Sequence, residues 1–258
     1  LEDLDSLSKR KHGVVYVTGP TGSGKTTTLF ALLDRINSPD KMIITVEDPV
    51  EYEISGISQI QVNQKIDLTF PRALRAIVRQ DPDVIMVGET RDKETAMMAI
   101  EASLTGHFVL STLHTNDAAS APNRLIDMGV QPFLIASSLA AILAQRLIQT
   151  LCDECKEPYE MTASELEILQ VEELPEWADT YRASEGCAKC NFKGYMGRTT
   201  VCELLMITDE VKPLILQKAD AGSVKRLAMK QGMVTLRQNA VEKIFRGLTS
   251  VDEVIRAI

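Results

Sequence analysis

Fifteen residues constrain this chain more than any others: Val14-Val15-Tyr16-Val17-Thr18-Gly19-Pro20-Thr21-Gly22-Ser23-Gly24-Lys25-Thr26-Thr27-Thr28. From Gly19 to Thr26 they fit the pattern G-x-x-x-x-G-K-T. An apolar, β-branched run precedes the pattern and a helix-like stretch, Leu29-Phe30-Ala31-Leu32-Leu33, follows it. Strand, loop and helix in that order make the pattern a phosphate site. Gly22 and Gly24 let the backbone curl so that successive N–H groups point at phosphate oxygens. The N-terminus of the following helix adds its partial positive charge. Lys25 is placed to reach the β and γ phosphates of a nucleoside triphosphate, and Thr26 to offer a hydroxyl to Mg²⁺. The candidate nucleotide contacts are therefore Gly19, Pro20, Thr21, Gly22, Ser23, Gly24, Lys25, Thr26 and Thr27.

The chain around this loop reads as α/β. Residues 14–18, 42–46, 84–88 and 107–112 are short runs rich in valine and isoleucine, separated by helix-like stretches at 25–36, 69–80 and 92–105. Such alternation means βαβ units and a mainly parallel sheet with helices on both faces. Residues 50–68 alternate weakly around a glycine and read as a small hairpin or irregular loop. Helices are expected near 117–129 and 132–150, the second opened by Pro132 and carrying Leu139, Ile142, Leu143, Arg146 and Leu147 at helical spacing. Beyond 198 the pattern is a strand at Thr200-Val201, then three or four short helices. Their starts are signalled at Thr208-Asp209-Glu210, Ser223 and Thr249-Ser250-Val251-Asp252-Glu253. Three segments follow: a nucleotide-binding core at 1–150, a cysteine module at 151–198 and a helical subdomain at 199–258.

A phosphate cradle needs acids nearby. In an open parallel sheet they belong at the carboxyl ends of strands beside the loop. Glu47-Asp48 closes one strand and Glu89 another. One acid can hold Mg²⁺ and the other orient or deprotonate an attacking water. Of three histidines, His107 and His114 bracket a strand seven residues apart. Only His114 falls at the carboxyl end, where it can sense a γ-phosphate or reach a neighbouring subunit. His107 reads as a buried, hydrogen-bonded residue. Arg72, Arg75, Arg79 and Arg91 lie near these segments and read as helix-face ion pairs with one functional member.

Cys152-x-x-Cys155 and Cys187-x-x-Cys190 are two metal knuckles. Two such pairs make a tetrahedral thiolate set suited to Zn²⁺, with no position left open for chemistry. The 31-residue gap between them is expected to loop out, and Cys202 reads as core. No leader-like start is visible, so the five cysteines are expected to be metal ligands or free thiols before disulfides. The abrupt opening Glu2-Asp3-Leu4-Asp5, a dozen residues before a core strand, suggests a fragment. No apolar run approaches the length of a membrane span.

Charge narrows the partners. The chain carries a formal net charge of −8. From Cys152 to Arg198, eleven acidic residues against five basic give −6. An acidic surface repels a phosphate backbone, which speaks against nucleic acid and for a basic protein or a neighbouring subunit.

Taken in order, the loop Gly-Pro-Thr-Gly-Ser-Gly-Lys-Thr, Thr45-Val46-Glu47-Asp48-Pro49-Val50-Glu51, Arg79-Gln80-Asp81-Pro82-Asp83 running into Gly88-Glu89-Thr90-Arg91-Asp92, Thr105-Gly106-His107 through Thr115-Asn116-Asp117 and the four-cysteine module resemble the secretion ATPase family of type II secretion and type IV pilus assembly. The resemblance covers essentially the whole chain. It implies a RecA-like ATPase core, ATP as the nucleotide, and a hexameric ring at the cytoplasmic face of the inner membrane. Its partners there would be an inner-membrane platform protein and a membrane-associated secretion or pilus component. It implies that Glu47 is the catalytic base, that Glu89 serves Mg²⁺, and that His107 and His114 form a histidine box. The cysteine module is typical of assembly and secretion members and argues against a retraction motor. Two features depart from the pattern: Thr90 replaces the usual isoleucine, and Thr199-Thr200-Val201-Cys202-Glu203 is less apolar than usual. Family members also carry an upstream domain that lends arginines to the site. A chain of this extent is therefore expected to bind nucleotide but hydrolyse it slowly. The alternative on the same core is a nucleic-acid translocase or helicase.

Overall fold

In the computed structural model the described residues are 6–258. A seven-stranded sheet organises them, in the order β3-β2-β4-β5-β1-β6-β9. Its centre is β1 (Gly13–Thr18), β2 (Ile43–Glu47), β4 (Val84–Val87) and β5 (Phe108–Leu113), in which every residue is buried. Continuous burial of this kind requires cover on both faces, which is why these strands read as unbroken apolar runs. The pairs β1·β5, β1·β6, β2·β3, β2·β4 and β4·β5 are all parallel. Parallel neighbours need crossovers, and the amphipathic segments between the strands supply them. These are α1 (Lys25–Ile36), α2 (Phe70–Val78) and α3 (Lys93–Leu104). Both α1 and α3 pack against β1 and β5. Asp92 caps α3 by accepting from Thr95 N–H at 2.8 Å.

Two expectations are corrected in part or whole. Residues 50–68 are largely irregular, as one of the two readings had it, but β3 (Ser58–Gln61) pairs parallel with β2, and the antiparallel pairing is limited to the bridge Asn63–Leu68 around a short 3-10 turn at Gln64–Ile66. The expected helix at 132–150 ends after two turns. After α4 (Ala121–Asp127), the helix α5 covers only Pro132–Ser138, and β6 takes Leu139–Leu151. Leu139, Ile142, Leu143, Arg146 and Leu147 therefore lie on a strand. An apolar run gives no choice between buried helix and buried strand by periodicity alone. Alignment of Val15 with Ala141 and Val17 with Leu143 beside β1 decides it.

Past β6 come the short pair β7 (Glu157–Pro158) and β8 (Tyr181–Arg182), with helix α6 (Ala163–Leu169) between them. The long strand β9 (Tyr195–Met206) follows, then α7 (Val211–Leu216), α8 (Ala221–Lys230), α9 (Leu236–Phe245) and α10 (Val251–Ala257). Ser250 caps α10 as expected. Ser223 does not start a helix: Asp220 is the cap of α8, and its carboxylate accepts the Ser223 N–H at 3.0 Å.

Contacts group the chain into two compact units. One comprises residues up to Thr21, Lys25–Ala144 and Leu204–Met233; the other comprises Gly22–Gly24, Gln145–Glu203 and Val234–Ile258. No helix among the described residues is long and apolar enough to cross a membrane.

Candidate functional site

Because β1, β2, β4 and β5 run parallel, their carboxyl ends share one edge of the sheet. Thr18 ends β1 and leads into the phosphate loop; Glu47 is the last residue of β2; Glu89 lies two residues beyond β4; His114 directly follows β5. The loop's glycines take the conformations their chemistry permits. Gly22 and Gly24 have φ of 77° and 85°, the left-handed region that costs other residues a Cβ clash. Pro20, Thr21, Thr26 and Thr27 are exposed, while Gly19 and Ser23 are buried. In the second unit, Gln145 Nε2 donates to Ser23 O at 2.6 Å.

Lys25 opens α1, and its Nζ donates to Gly19 O at 3.0 Å and Pro20 O at 2.9 Å. A lysine curled onto its own loop keeps its charge where phosphates would bind. Burial draws its pKa below the ordinary lysine value, while Glu89 pulls the other way. The chain entering the loop is tied to the end of β5. Thr115 N–H donates to the Thr18 hydroxyl at 2.8 Å, and that hydroxyl reaches Leu113 O at 3.1 Å.

Glu89 is fixed by its neighbours. Thr112 Oγ1 donates to Gly88 O at 2.8 Å, Thr90 N–H donates to Thr112 O at 2.9 Å, and the Thr90 and Ser111 hydroxyls lie 2.8 Å apart. Thr90, the departure from the family pattern, thus has its buried hydroxyl satisfied by Ser111. Arg91 Nε pairs with Glu89 Oε2 at 2.6 Å. His114 is exposed, and its pKa lies below the ordinary histidine value. Burial is the main cause, followed by the Lys25 charge; Glu89 opposes, and Arg91 and Arg124 add to the lowering. These groups therefore act on one another.

Glu47 is 2% exposed. One carboxylate oxygen, Oε1, accepts from Thr45 Oγ1 at 2.5 Å and from Gln59 Nε2 at 3.0 Å. His107 behaves as expected: it is buried, and its Nδ1 lies 2.9 Å from Ala102 O. Arg72 pairs with Asp67 at 2.8 Å, and Arg75 pairs with Glu94. Arg79 ends α2 as its C-cap. Of the four arginines singled out, Arg91 is the one among these contacts. Thr45, Gln59 and Arg124 escaped sequence reasoning. Thr45 and Gln59 lie inside strands and Arg124 inside a helix, so no local signal marks their roles.

The four knuckle cysteines converge in the second unit, all four Sγ atoms lying within 4.8 Å of one another. The Cys152–Cys187, Cys155–Cys190 and Cys187–Cys190 distances are 3.9, 3.8 and 3.9 Å. A tetrahedron of sulfurs about 2.3 Å from a central zinc has edges of about 3.8 Å, so the donor set fits. Backbone N–H groups of Cys187 and Gly194 donate to Cys190 Sγ at 3.2 and 3.3 Å. The Cys187 N–H is the leading cause that brings the Cys190 thiol down to about 6. At Cys155 the Ser184 hydroxyl pulls downward, yet burial and the neighbouring thiols push it up to about 12. Gly186 precedes the second knuckle with φ 96°, and a Cβ there would sit 2.4 Å from the Phe192 carbonyl carbon. Cys202 is half-buried and outside the cluster.

A parallel sheet that delivers a glycine-lysine loop from one strand, and acids and a histidine from its neighbours, defines a P-loop nucleotide-binding α/β domain. The chain belongs to the type II/IV secretion system protein family, which it matches over residues 1–256. It is 52% identical over 255 residues to "Type II secretion system ATPase E" of Vibrio cholerae, covering 99% of this chain and 50% of that protein. It is likewise 52% identical over 254 residues to "Type II secretion system protein E" of Dickeya dadantii, covering 98% and 50%. The chain spans about half the length of the curated relatives it matches. Among solved structures it resembles the ADP-bound pilus retraction motor PilT, with TM-score 0.73 and 29% identity over 99% of this chain and 63% of that one. The ATPase DotB of Legionella pneumophila gives TM-score 0.71 and 25% identity over 98% and 62%.

Proposed function

We propose that this chain is the ATP-hydrolysing part of a type II secretion or type IV pilus assembly motor. The observation that carries the reading is Glu47: a buried carboxylate on the same sheet edge as the phosphate loop, with one oxygen held by two donors. Lys25, released from the Gly19 and Pro20 carbonyls, binds the β and γ phosphates, with the loop N–H groups and the α1 N-terminus. Thr26 and Glu89 would hold Mg²⁺, which would supply charge neutralisation for the transferring phosphoryl group. Glu47 orients water and takes its proton at the unclaimed oxygen, Oε2. His114 and Arg91, whose charges act on the Lys25 and Glu89 groups, would respond to the γ-phosphate.

The four cysteines would hold a structural Zn²⁺, which crosslinks the 151–198 module and takes no part in chemistry. In the complete protein the core at 1–150 and the subdomain at 199–258 would work within a hexameric ring, coupling hydrolysis to rigid-body movement. That ring would sit at the cytoplasmic face of the inner membrane, on a platform protein and a membrane-associated component. This chain, spanning about half the length of its relatives, would turn over slowly.

Glu47→Gln tests the base. Turnover should fall by about two orders of magnitude or more, while affinity for a non-hydrolysable ATP analogue stays within about threefold. Unchanged turnover removes Glu47 from the mechanism. Single-stranded DNA added to the same assay should leave the rate unchanged; strong stimulation would replace this reading with a nucleic-acid translocase.

A further inference from the structure

Glu47 can act as a base only if its carboxylate keeps one orientation, and the residues that impose it come from the short strand β3. Side chains alternate along a strand, so Thr45 and Glu47 share a face of β2. The parallel register sets Gln59 beside Thr45 and Gln61 beside Glu47. Four polar side chains, Thr45, Glu47, Gln59 and Gln61, thus share one face of the sheet edge.

Gln59 is fully engaged there. Its Oε1 accepts the Ile54 N–H at 2.7 Å. A backbone N–H can only donate, so this bond fixes which end of the carboxamide is oxygen. The other end, Nε2, then has two hydrogens and two acceptors: Glu47 Oε1 at 3.0 Å and Tyr52 O at 3.1 Å. Gln61 repeats the arrangement one step along, its Oε1 accepting the Val50 N–H at 3.3 Å. The two amides thereby hold the segment 50–54 beside Glu47. The Tyr52 ring meets Phe30 edge-on at 4.7 Å between centroids, and Phe30 is a buried residue of α1, the helix that begins with Lys25.

We propose that Gln59 is the positioning residue for Glu47: with Thr45 it occupies Oε1, leaving Oε2 as the oxygen that meets water, and it ties that orientation to the phosphate-loop helix through Tyr52 and Phe30. Occupying one oxygen with two donors turns a freely rotating carboxylate into a directed one, and orientation is a large part of what a catalytic group contributes. The inference rests on Glu47 being the base, and the experiment separates the two.

Turnover and binding of a non-hydrolysable ATP analogue are measured for the chain, Gln59→Leu, Gln59→Glu, Glu47→Gln and Glu47→Gln with Gln59→Leu. Gln59→Glu keeps the shape and the acceptor for Ile54 N–H but removes the donor, so it decides the matter if Gln59→Leu melts early. Loss of one hydrogen bond to a charged group predicts a fall in kcat of about tenfold for Gln59→Leu, and a larger one for Gln59→Glu, whose charge faces Glu47. KM and analogue affinity should stay within about twofold, and Gln59→Leu should cost under about twofold more once Glu47 is Gln. In the ¹⁵N-labelled chain, the Gln59 carboxamide protons should be protected from exchange and shift on Glu47→Gln. A wild-type kcat in both Gln59 variants, a full additional loss in the double variant, a rise in KM alone, or a freely exchanging carboxamide overturns the inference with Glu47 still the base. Wild-type turnover in Glu47→Gln overturns the base assignment and the inference together.

Discussion

His114 illustrates how single residues at this edge of the sheet are tuned. It is exposed, yet burial of part of its ring and the positive charges of Lys25, Arg91 and Arg124 outweigh Glu89 and hold its pKa below 6.5. Between the lowered folded value and the unfolded value of 6.5, the unfolded chain binds more protons than the native one. Stability therefore falls as pH drops through 6.5 and levels off below the folded value. The chemical-denaturation midpoint should decline on acidification from about pH 7 to about pH 5, and decline less in His114→Asn. Equal slopes would mean that the fold does not hold the His114 pKa below its ordinary value. The phosphate loop was legible residue by residue, because contiguous residues make it. Glu47, Glu89 and His114 were legible as strand ends. Gln59 was not: its meaning lies in a parallel register with Thr45, and nothing local marks a glutamine in a short polar segment as the partner of a carboxylate twelve residues earlier in the chain.

At the scale of elements, local chemistry and long-range pairing divided the outcome. Helix α1 falls at Lys25–Ile36, where the periodicity placed it. Helix α6 was overlooked inside the cysteine module, although its signal is local. Thr162 and Glu165 form a capping box, the Thr162 hydroxyl accepting Glu165 N–H at 3.3 Å and Glu165 Oε2 accepting Thr162 N–H at 2.7 Å. Thr162→Ala should cost about 1 kcal/mol and raise amide exchange across Ala163–Leu169 without altering metal content. A change confined to other elements would assign the helix's stability to packing instead. For β6 no local signal existed. Leu139-Ala140-Ala141-Ile142-Leu143-Ala144 is at least as good a helix as a strand by propensity. The run becomes a strand because β1 offers it a parallel partner, and tertiary pairing routinely overrides propensity.

At the scale of the molecule, the −6 balance of 152–198 and the two cysteine knuckles set what the second unit can do. Few apolar side chains are buried between Cys152 and Cys190, so the thiolate cluster is the main candidate for holding that segment together. Metal analysis of protein purified without added zinc should find about one zinc per chain. Cys187→Ser or chelation should remove it and lower the melting temperature, since a structural zinc contributes its binding energy to folding. Metal-free protein with unchanged melting would make the cluster incidental. By itself the sequence determined the phosphate loop, the parallel α/β class and the cysteine pairs, because each is written in contiguous spacing or in short periodicity. Tertiary structure alone decided that the run after Ser138 is a strand, that β3 lies parallel to β2, and that Gln59 reaches Glu47. Those outcomes depend on which backbone edge a segment meets, and that partner is distant in the chain.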